Sequence, residues 1–211
     1  DAIGILEVAG LYSFEPGIVE LHHAVHQLYA VALCAGNSGI QIVDAPDGIT
    51  FEPLAEHDLL GKLVGADDKF TAHNAAEWRH GLLVHVPKGV RLEKPLYVRI
   101  ASSADGGALF WRLVVVAEEG SDATLIEEYV SESPDLAAYT NAVTELYVEQ
   151  AAKLEYVSIQ NLSTETWHFA SHSAQVARDA ELDWVAGGFG SKRGKTWIRN
   201  TLAGPGATSR V

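Results

Sequence analysis

The strongest constraint on the fold is a short phrase that recurs through the second half of the chain. Each copy joins an apolar run to a brief polar turn, which is followed by a small residue and a second apolar run. A repeat of roughly 28 residues is typical of solenoids, in which each repeat packs only against its neighbours. The small residues that align the copies are Ala123, Ala152, Ala180 and Ala207.

The content of each repeat indicates strands rather than helices. After the turn, Ala152, Leu154 and Tyr156 alternate with Lys153 and Glu155. Such a period of two places alternate side chains on one buried face and one wet face. Aligning the copies stacks like residues, which predicts a mainly β chain folded as a parallel β-helix. The alignment predicts one column of leucines, namely Leu125 on Leu154 on Leu182.

Charge and cysteine content narrow the function classes. The 211-residue chain has a net charge of −13, which argues against binding to nucleic acid or to an anionic membrane. The cluster 192–195 is interpreted as a solvated turn. Cys34 is the only cysteine, so an internal disulfide is excluded, and we expect a reducing, cytoplasmic setting with a buried, inert thiol.

The first part of the chain predicts a small α/β region over residues 1–80, ahead of a β-helix over 81–211. Helical apolar spacing runs over 17–35, and a second helical stretch is predicted over 54–80, with Asp67-Asp68 capping its later segment. Short strands are predicted at 40–43 and 49–51, on either side of an Asp-Gly turn.

Histidines are the only candidate metal ligands. His22 and His26 are four apart on the predicted helix, with His23 between them, but no acidic or cysteine partner completes a site, so surface histidines are the preferred interpretation. His168 and His172 share a strand face about 13 Å apart, too far for one metal. No nucleotide, hydrolase or metalloprotease motif is present. We therefore assign no catalytic and no metal-binding residue.

Two charged residues stand out in the strand pattern. Glu127 occupies an inward position, and Arg112 lies about as far before the Glu119-Gly120 turn as Glu127 lies after it. A buried carboxylate without a partner is costly, so the spacing predicts a buried Arg112–Glu127 pair. A structural role is preferred, with a catalytic carboxylate as the alternative.

Several distinctive stretches occur in order along the chain, among them HVPKGV, FWRLVVVAEEGS and LEYVSIQN, and together they cover roughly residues 37–211. They resemble the SufB/SufD family of iron–sulfur cluster assembly scaffolds. The family fold is a right-handed parallel β-helix, in agreement with the repeat. The stretches are 85–90, 110–121, 125–127, 141–146, 154–161, 178–180 and 202–207.

Within that family the chain looks closer to SufD. SufB-type chains tend to carry Gly-Cys where this chain has Glu128-Tyr129, and the link 162–167 is short. The resemblance implies a non-enzymatic partner of SufB and of the ATPase SufC. No cofactor would be bound by this chain itself, and an iron–sulfur cluster would be held transiently in the complete complex.

The resemblance also implies that the family chain continues past Val211, so that the cluster-site histidine and the ATPase-docking helices lie beyond it. We therefore interpret the chain as a fragment and transfer no functional residue. An open last coil predicts self-association. The alternatives are a carbohydrate-active β-helix enzyme, which would need aligned outward carboxylates, and a metal-binding protein that uses the amino-terminal histidines.

Overall fold

A computed structural model describes residues 30–35, 40–42, 46–55 and 57–211. The chain is mainly β, with 54% strand and 5% helix, and it forms a β-solenoid of about 5 turns. The predicted fold class is therefore confirmed, while the right-handed sense of the coil stays a prediction. Each full turn of the chain around the solenoid is called a coil below.

Thirteen strands and one helix are named among the described residues. The helix is α1 (Lys69–Glu77). The strands are β1 (Ala30–Ala35), β2 (Ile40–Ile42), β3 (Thr50–Pro53), β4 (His80–Val86), β5 (Leu96–Ser102), β6 (Ala108–Ala117), β7 (Asp122–Ser131), β8 (Tyr139–Val148), β9 (Lys153–Asn161), β10 (Trp167–Val176), β11 (Glu181–Gly188), β12 (Arg193–Leu202) and β13 (Thr208–Arg210).

The strands form two sheets that face each other. Sheet A has the order β13-β11-β9-β7-β5-β1-β2, and sheet B has the order β12-β10-β8-β6-β4-β3. From β4 onward, successive strands alternate between the sheets, and each pairs in parallel with the strand one coil away. This is the arrangement that a repeat with two strands per copy produces.

The core lies between the two sheets because each strand points alternate side chains inward. On β6, Leu109, Trp111, Leu113 and Val115 belong to this inner core. A second apolar cluster lies on the outer face of sheet B, where β6 and β8 meet the segment that precedes β4. That segment therefore acts as a cover over one outer face of the solenoid.

The covering segment contains α1, which begins as the sequence predicts. The Asp68 side chain accepts hydrogen bonds from the backbone N–H groups of Phe70 and Thr71, and the Thr71 hydroxyl accepts one from the Asp68 N–H. This reciprocal capping box satisfies amides that a helix start leaves open. Within the described ranges, no helix is long and apolar enough to cross a membrane.

One helix prediction is wrong where the structure describes it, and a second is correct only over α1. Ala30–Ala35 forms β1, which pairs in parallel with β5 and antiparallel with β2; the remainder of the predicted 17–35 helix lies outside the described residues. A short apolar run fits a strand as well as a helix, and here sheet pairing decides. In the predicted 54–80 stretch, residues 58–64 form turns and bends instead of a helix, because Glu145 accepts backbone N–H groups that a helix would use.

The predicted parallel stacking and the predicted inward faces are correct, but the register of the first repeat is shifted by two residues. Leu154 lies beside Leu182 as predicted, whereas its partner on β7 is Ala123, and Leu125 lies beside Tyr156. The coil corners explain the shift. They align on residues with positive φ, which are Gly120, Ala151, Asp179 and Gly206. A shift of two keeps every side chain on its predicted face.

The N-terminal strands join the same sheets as the later coils. β1 extends sheet A beside β5, and β3 extends sheet B beside β4. The division of the chain into 1–80 and 81–211 stays a prediction. The predicted strand at 40–43 is confirmed over 40–42, and the one at 49–51 corresponds to β3.

Candidate functional site inside the solenoid

The most polar part of the interior is centred on Glu127. This residue lies on β7, points between the two sheets and is fully buried. Its inward position was predicted from the alternation of the strand. A carboxylate in such a place needs hydrogen-bond donors, since its transfer from water without them is costly.

Four donors from four different strands bond to the Glu127 carboxylate. Trp111 Nε1 on β6 donates to Oε1 at 3.0 Å, and the Tyr129 hydroxyl on β7 donates to the same oxygen at 2.7 Å. Thr144 Oγ1 on β8 donates to Oε2 at 3.3 Å, and the Tyr156 hydroxyl on β9 also donates to Oε2. Both oxygens are therefore satisfied, and the contacts bridge sheets A and B. These five residues are called the Glu127 cluster below.

Burial dominates the electrostatics of the Glu127 cluster. Desolvation raises the pKa of Glu127, while the hydrogen bonds from Tyr156, Tyr129, Trp111 and Thr144 act in the opposite direction. Desolvation, together with the adjacent carboxylate, raises the pKa of both tyrosines well above its usual value. All four donors are uncharged at neutral pH, so the carboxylate has no cationic partner among them.

Two buried histidines on β10 line the same interior. The ring of His168 lies 5.3 Å from that of Tyr129, and its Nδ1 is 2.7 Å from Thr140 Oγ1. His172 packs against Trp184 at 5.5 Å, and its Nδ1 has no hydrogen-bond partner among the residues that the structure describes. Burial lowers the pKa of His168 to about 4 and that of His172 to about 3. Both rings are therefore neutral at physiological pH.

The chemistry of this interior is that of hydrogen bonding and proton binding. Glu127 can hold a proton, because burial favours its neutral form. Among the described residues, no group of three or more histidine, cysteine, aspartate or glutamate side chains is arranged to hold a metal ion. The Glu127 cluster therefore ties the coils together and contains a buried acid.

The predicted Arg112–Glu127 pair is wrong. Arg112 and Trp111 are neighbours on β6, so they point to opposite faces, and it is Trp111 that reaches Glu127. Arg112 lies on the outer face, where its Nε donates to Asn74 Oδ1 of α1 at 2.8 Å. Both residues are buried, but the wall of sheet B separates them.

A second buried carboxylate, Glu145, lies on the outer face of sheet B. Its oxygens accept backbone N–H groups from Gly61 at 2.7 Å, Leu63 at 2.7 Å and Val64 at 3.1 Å. Desolvation lowers the pKa of the neighbouring Arg112, and the charge of Glu145 raises it by a smaller amount. Glu145 thus anchors the covering segment to β8.

The remaining candidates have no shared site. His168 and His172 do lie on one face of a strand, as predicted. His22, His23 and His26 lie outside the described residues, and so does the side chain of Cys34. The predicted turn at 192–195 is wrong in part: these residues are exposed, but Arg193 already begins β12.

Sequence reasoning missed the partners of Glu127. A signal was available in the alternation of β6, because Trp111 shares its parity with the core residues and Arg112 does not. The contribution of Tyr156 was harder to find, since it depends on the register between β7 and β9. No feature of the sequence predicts that Nδ1 of His172 lacks a hydrogen-bond partner among the described residues.

Comparison with known proteins identifies the family. A family model described as "SUF system FeS cluster assembly, SufBD core domain" matches residues 99–211, which is more than half of the chain. The chain belongs to the SufBD family. The matched region starts within β5 and includes the Glu127 cluster and both buried histidines.

Curated relatives agree with this assignment. An "Iron-sulfur cluster assembly SufBD family protein" of Staphylococcus haemolyticus is 30% identical over 156 residues, which is 74% of this chain and 34% of the relative. A protein of the same description from Staphylococcus saprophyticus is 29% identical over 142 residues, covering 67% of this chain and 30% of the relative. The chain thus spans about a third of the length of these relatives.

Proposed function

We propose that the protein is a scaffold subunit of an iron–sulfur cluster assembly complex, SufD-like in type, which acts with a SufB-like subunit and a SufC-like ATPase in the cytoplasm. The observation that carries the proposal is the SufBD core match over residues 99–211, on a chain folded as a β-solenoid. In this role the iron–sulfur cluster is cargo of the complex, and the chain itself is not an enzyme.

The choice of SufD over SufB depends on the absence of thiols in the matched region. The chain has a single cysteine, Cys34, which precedes that region. At the position where SufB-type chains tend to carry Gly-Cys, this chain has Glu128-Tyr129. Both side chains are buried and bonded: the Glu128 carboxylate accepts the Tyr97 hydroxyl, and Tyr129 belongs to the Glu127 cluster. These contacts favour a structural use of the position over cluster chemistry.

The carbohydrate-active alternative has weaker support. It requires outward carboxylates that are free to bind a substrate or calcium. On the outer face of sheet A, Glu181 is paired with Lys153 at 3.1 Å, and Asp183 is paired with Arg210. The family assignment also favours cluster assembly, so we do not propose this second function.

The proposal is tested by co-expressing the full chain, carrying an affinity tag, with the SufB and SufC homologues of the same genome. We expect both homologues to co-purify with it. The complex is then reconstituted with iron and sulfide, and cluster formation is followed by absorbance and by iron content. Recovery of neither homologue would contradict the proposal.

A cysteine variant distinguishes the hypothesis of SufD-like function from that of SufB-like function. If the partner supplies the thiolate ligands, Cys34→Ser in this chain leaves cluster formation on the complex unchanged. A loss of cluster with an intact complex would show that this chain provides a ligand itself. That outcome would reject SufD-like function while leaving family membership untouched.

Self-association is a further proposal. β12 and β13 are the last strands of their sheets in the described chain, so one edge of each presents backbone groups without a strand partner. Such edges favour pairing with a second copy. Sedimentation velocity over a range of concentrations should show association of the 211-residue chain, and a monomer at every concentration would contradict it.

A further inference from the structure

The outer face of β12 combines cations with an exposed tryptophan. Alternation along the strand places Arg193, Lys195, Trp197 and Arg199 on one face, and all four are exposed. The parallel register sets Trp167 of β10 beside Arg193. These five residues are called the β12 patch below.

The cations of the β12 patch have no carboxylate partner among the described residues. Arg193, Lys195 and Arg199 form no ion pair within the part of the chain that the structure describes. Many other surface cations do, as Lys88 with Glu119 and Lys153 with Glu181 illustrate. These three positive charges lie on one face of one strand, at positions 193, 195 and 199, and repel each other. Their concentration is unusual in a chain with a net charge of −13.

The two tryptophans of the β12 patch add exposed apolar surface. Trp167 is 40% exposed and Trp197 is 52% exposed. Arg193 lies over the Trp167 ring at 5.6 Å, and Lys195 lies over the Trp197 ring at 4.9 Å. These contacts hold the cations against the aromatic rings. Tryptophan and arginine are the residues that most often dominate protein–protein interfaces.

The cover of sheet B stops short of this patch. α1 packs over β6 and β8, and its Phe70 ring stacks on Phe169 of β10 at 4.0 Å. On β12, the next strand of the sheet, the outward side chains are exposed. Among the described residues, the exposed part of this outer face therefore begins beyond Phe169, on β12.

We propose that the β12 patch is a docking surface for an extended acidic segment of a partner protein. Same-face residues of a strand are about 7 Å apart, so an extended chain with acidic side chains at alternate positions matches the cations. At the position opposite Trp197, the partner segment carries an apolar side chain in place of an acidic one. Charge complementarity selects the partner, and the tryptophans supply the apolar contact.

A polypeptide fits this surface better than a nucleic acid does. Three cations neutralise few phosphates, so the counterion release that drives binding to nucleic acid is small. The net charge of −13 also repels a long polyanion as it approaches. A short acidic segment meets the same local cations while it carries far less charge.

The test measures binding of a fluorescent peptide, Glu-Ser-Glu-Ser-Leu-Ser-Glu, to the full chain by anisotropy at moderate salt. The comparison probes are the same peptide with glutamine in place of glutamate, and a single-stranded oligodeoxythymidine. We expect the acidic peptide to bind. We expect the triple variant Arg193→Glu, Lys195→Glu and Arg199→Glu to bind it roughly tenfold or more weakly, as for loss of several charge contacts.

A matched triple variant controls for net charge. Lys62→Glu, Lys88→Glu and Arg91→Glu change the charge by the same amount at exposed sites away from the patch, and should leave affinity within about twofold, because distant surface charges contribute little. Circular dichroism verifies that each variant is folded. Equal binding by both triple variants, equal binding of the glutamine peptide, or preference for the oligonucleotide would overturn the proposal.

Discussion

Glu127 and Glu145 are both almost completely buried, yet they hold different things together. Glu127 lies inside the solenoid and accepts side-chain donors from four strands of two sheets. Glu145 lies on the outer face of β8 and accepts three backbone N–H groups from one loop. Glu127 therefore stabilises the packing of successive coils, whereas Glu145 attaches the covering segment to the outer face of sheet B.

The difference has an energetic consequence. The donors of Glu127 separate only when the sheets separate, so its contacts belong to the global unfolding reaction. The donors of Glu145 belong to residues 61–64, which take part in neither sheet. Proteins open locally where few contacts bind a segment to the core. We therefore expect variants at the two sites to differ in the extent of the structure that they destabilise.

The largest effect is expected for Glu127→Ala, which leaves four buried donors without an acceptor and opens a cavity. We expect the free energy of unfolding in urea to fall by about 3–5 kcal/mol. The matched variant Glu127→Gln retains the shape and one acceptor oxygen, and should cost much less. A loss below roughly 1 kcal/mol for the alanine variant would show that the cluster contributes little.

A smaller and local effect is expected for Glu145→Ala. Its removal leaves the N–H groups of Gly61, Leu63 and Val64 without an acceptor, at a cost of about 1–3 kcal/mol. Hydrogen exchange should accelerate at these amides, while the amides of β8 stay protected. Equal acceleration throughout sheet B would contradict the distinction between the two carboxylates. Glu145→Gln, which keeps one acceptor oxygen, is the control.

Acid should destabilise the interior through its histidines. His172 titrates near 6.5 when unfolded and at about 3 when folded, so the unfolded chain binds its proton first as the pH falls. Stability is therefore complete above about pH 6.5 and decreases below it, by up to about 1.4 kcal/mol per pH unit for each histidine. Urea titrations at several pH values should show that the free energy of unfolding decreases less steeply with acid for His172→Phe than for the unmodified chain. An identical pH dependence for the two proteins would contradict this.

Glu127 should act in the opposite direction. Its pKa is raised in the folded state, so the folded chain binds this proton more tightly than the unfolded chain does. Its ionisation costs stability as the pH rises through the window above the unfolded value, and acid relieves that cost. In the same urea titrations, Glu127→Gln should therefore steepen the acid loss that the histidines cause.

The smallest effect is the coupling between Arg112 and Glu127. The wall of sheet B separates them, so a double-mutant cycle of Arg112→Met with Glu127→Gln should give a coupling energy below about 0.5 kcal/mol. The control cycle of Arg112→Met with Asn74→Ala should couple more strongly, because Arg112 Nε bonds to Asn74. A strong coupling energy between Arg112 and Glu127 would contradict the conclusion that these two side chains lie on opposite faces of sheet B.

Much of the solenoid was predictable because its repeats carry a local signal. The alternation of Leu154 and Tyr156 with Lys153 and Glu155 identified which side chains face inward, and the structure agrees. The stacking of Leu154 on Leu182 was also correct. For Ala30–Ala35 the same reasoning failed, since a short apolar run is compatible with two secondary structures.

The sequence by itself determined the fold class, the inward position of Glu127 and the membership of His168 and His172 in one strand face. These properties follow from the alternation of inward and outward side chains along a strand, which can be read from residues that are adjacent in the sequence. Only the tertiary structure decided that Trp111, Thr144 and Tyr156 surround Glu127. Those contacts join different coils, and their register depends on corner residues with positive φ, such as Ala151, which strand alternation does not identify.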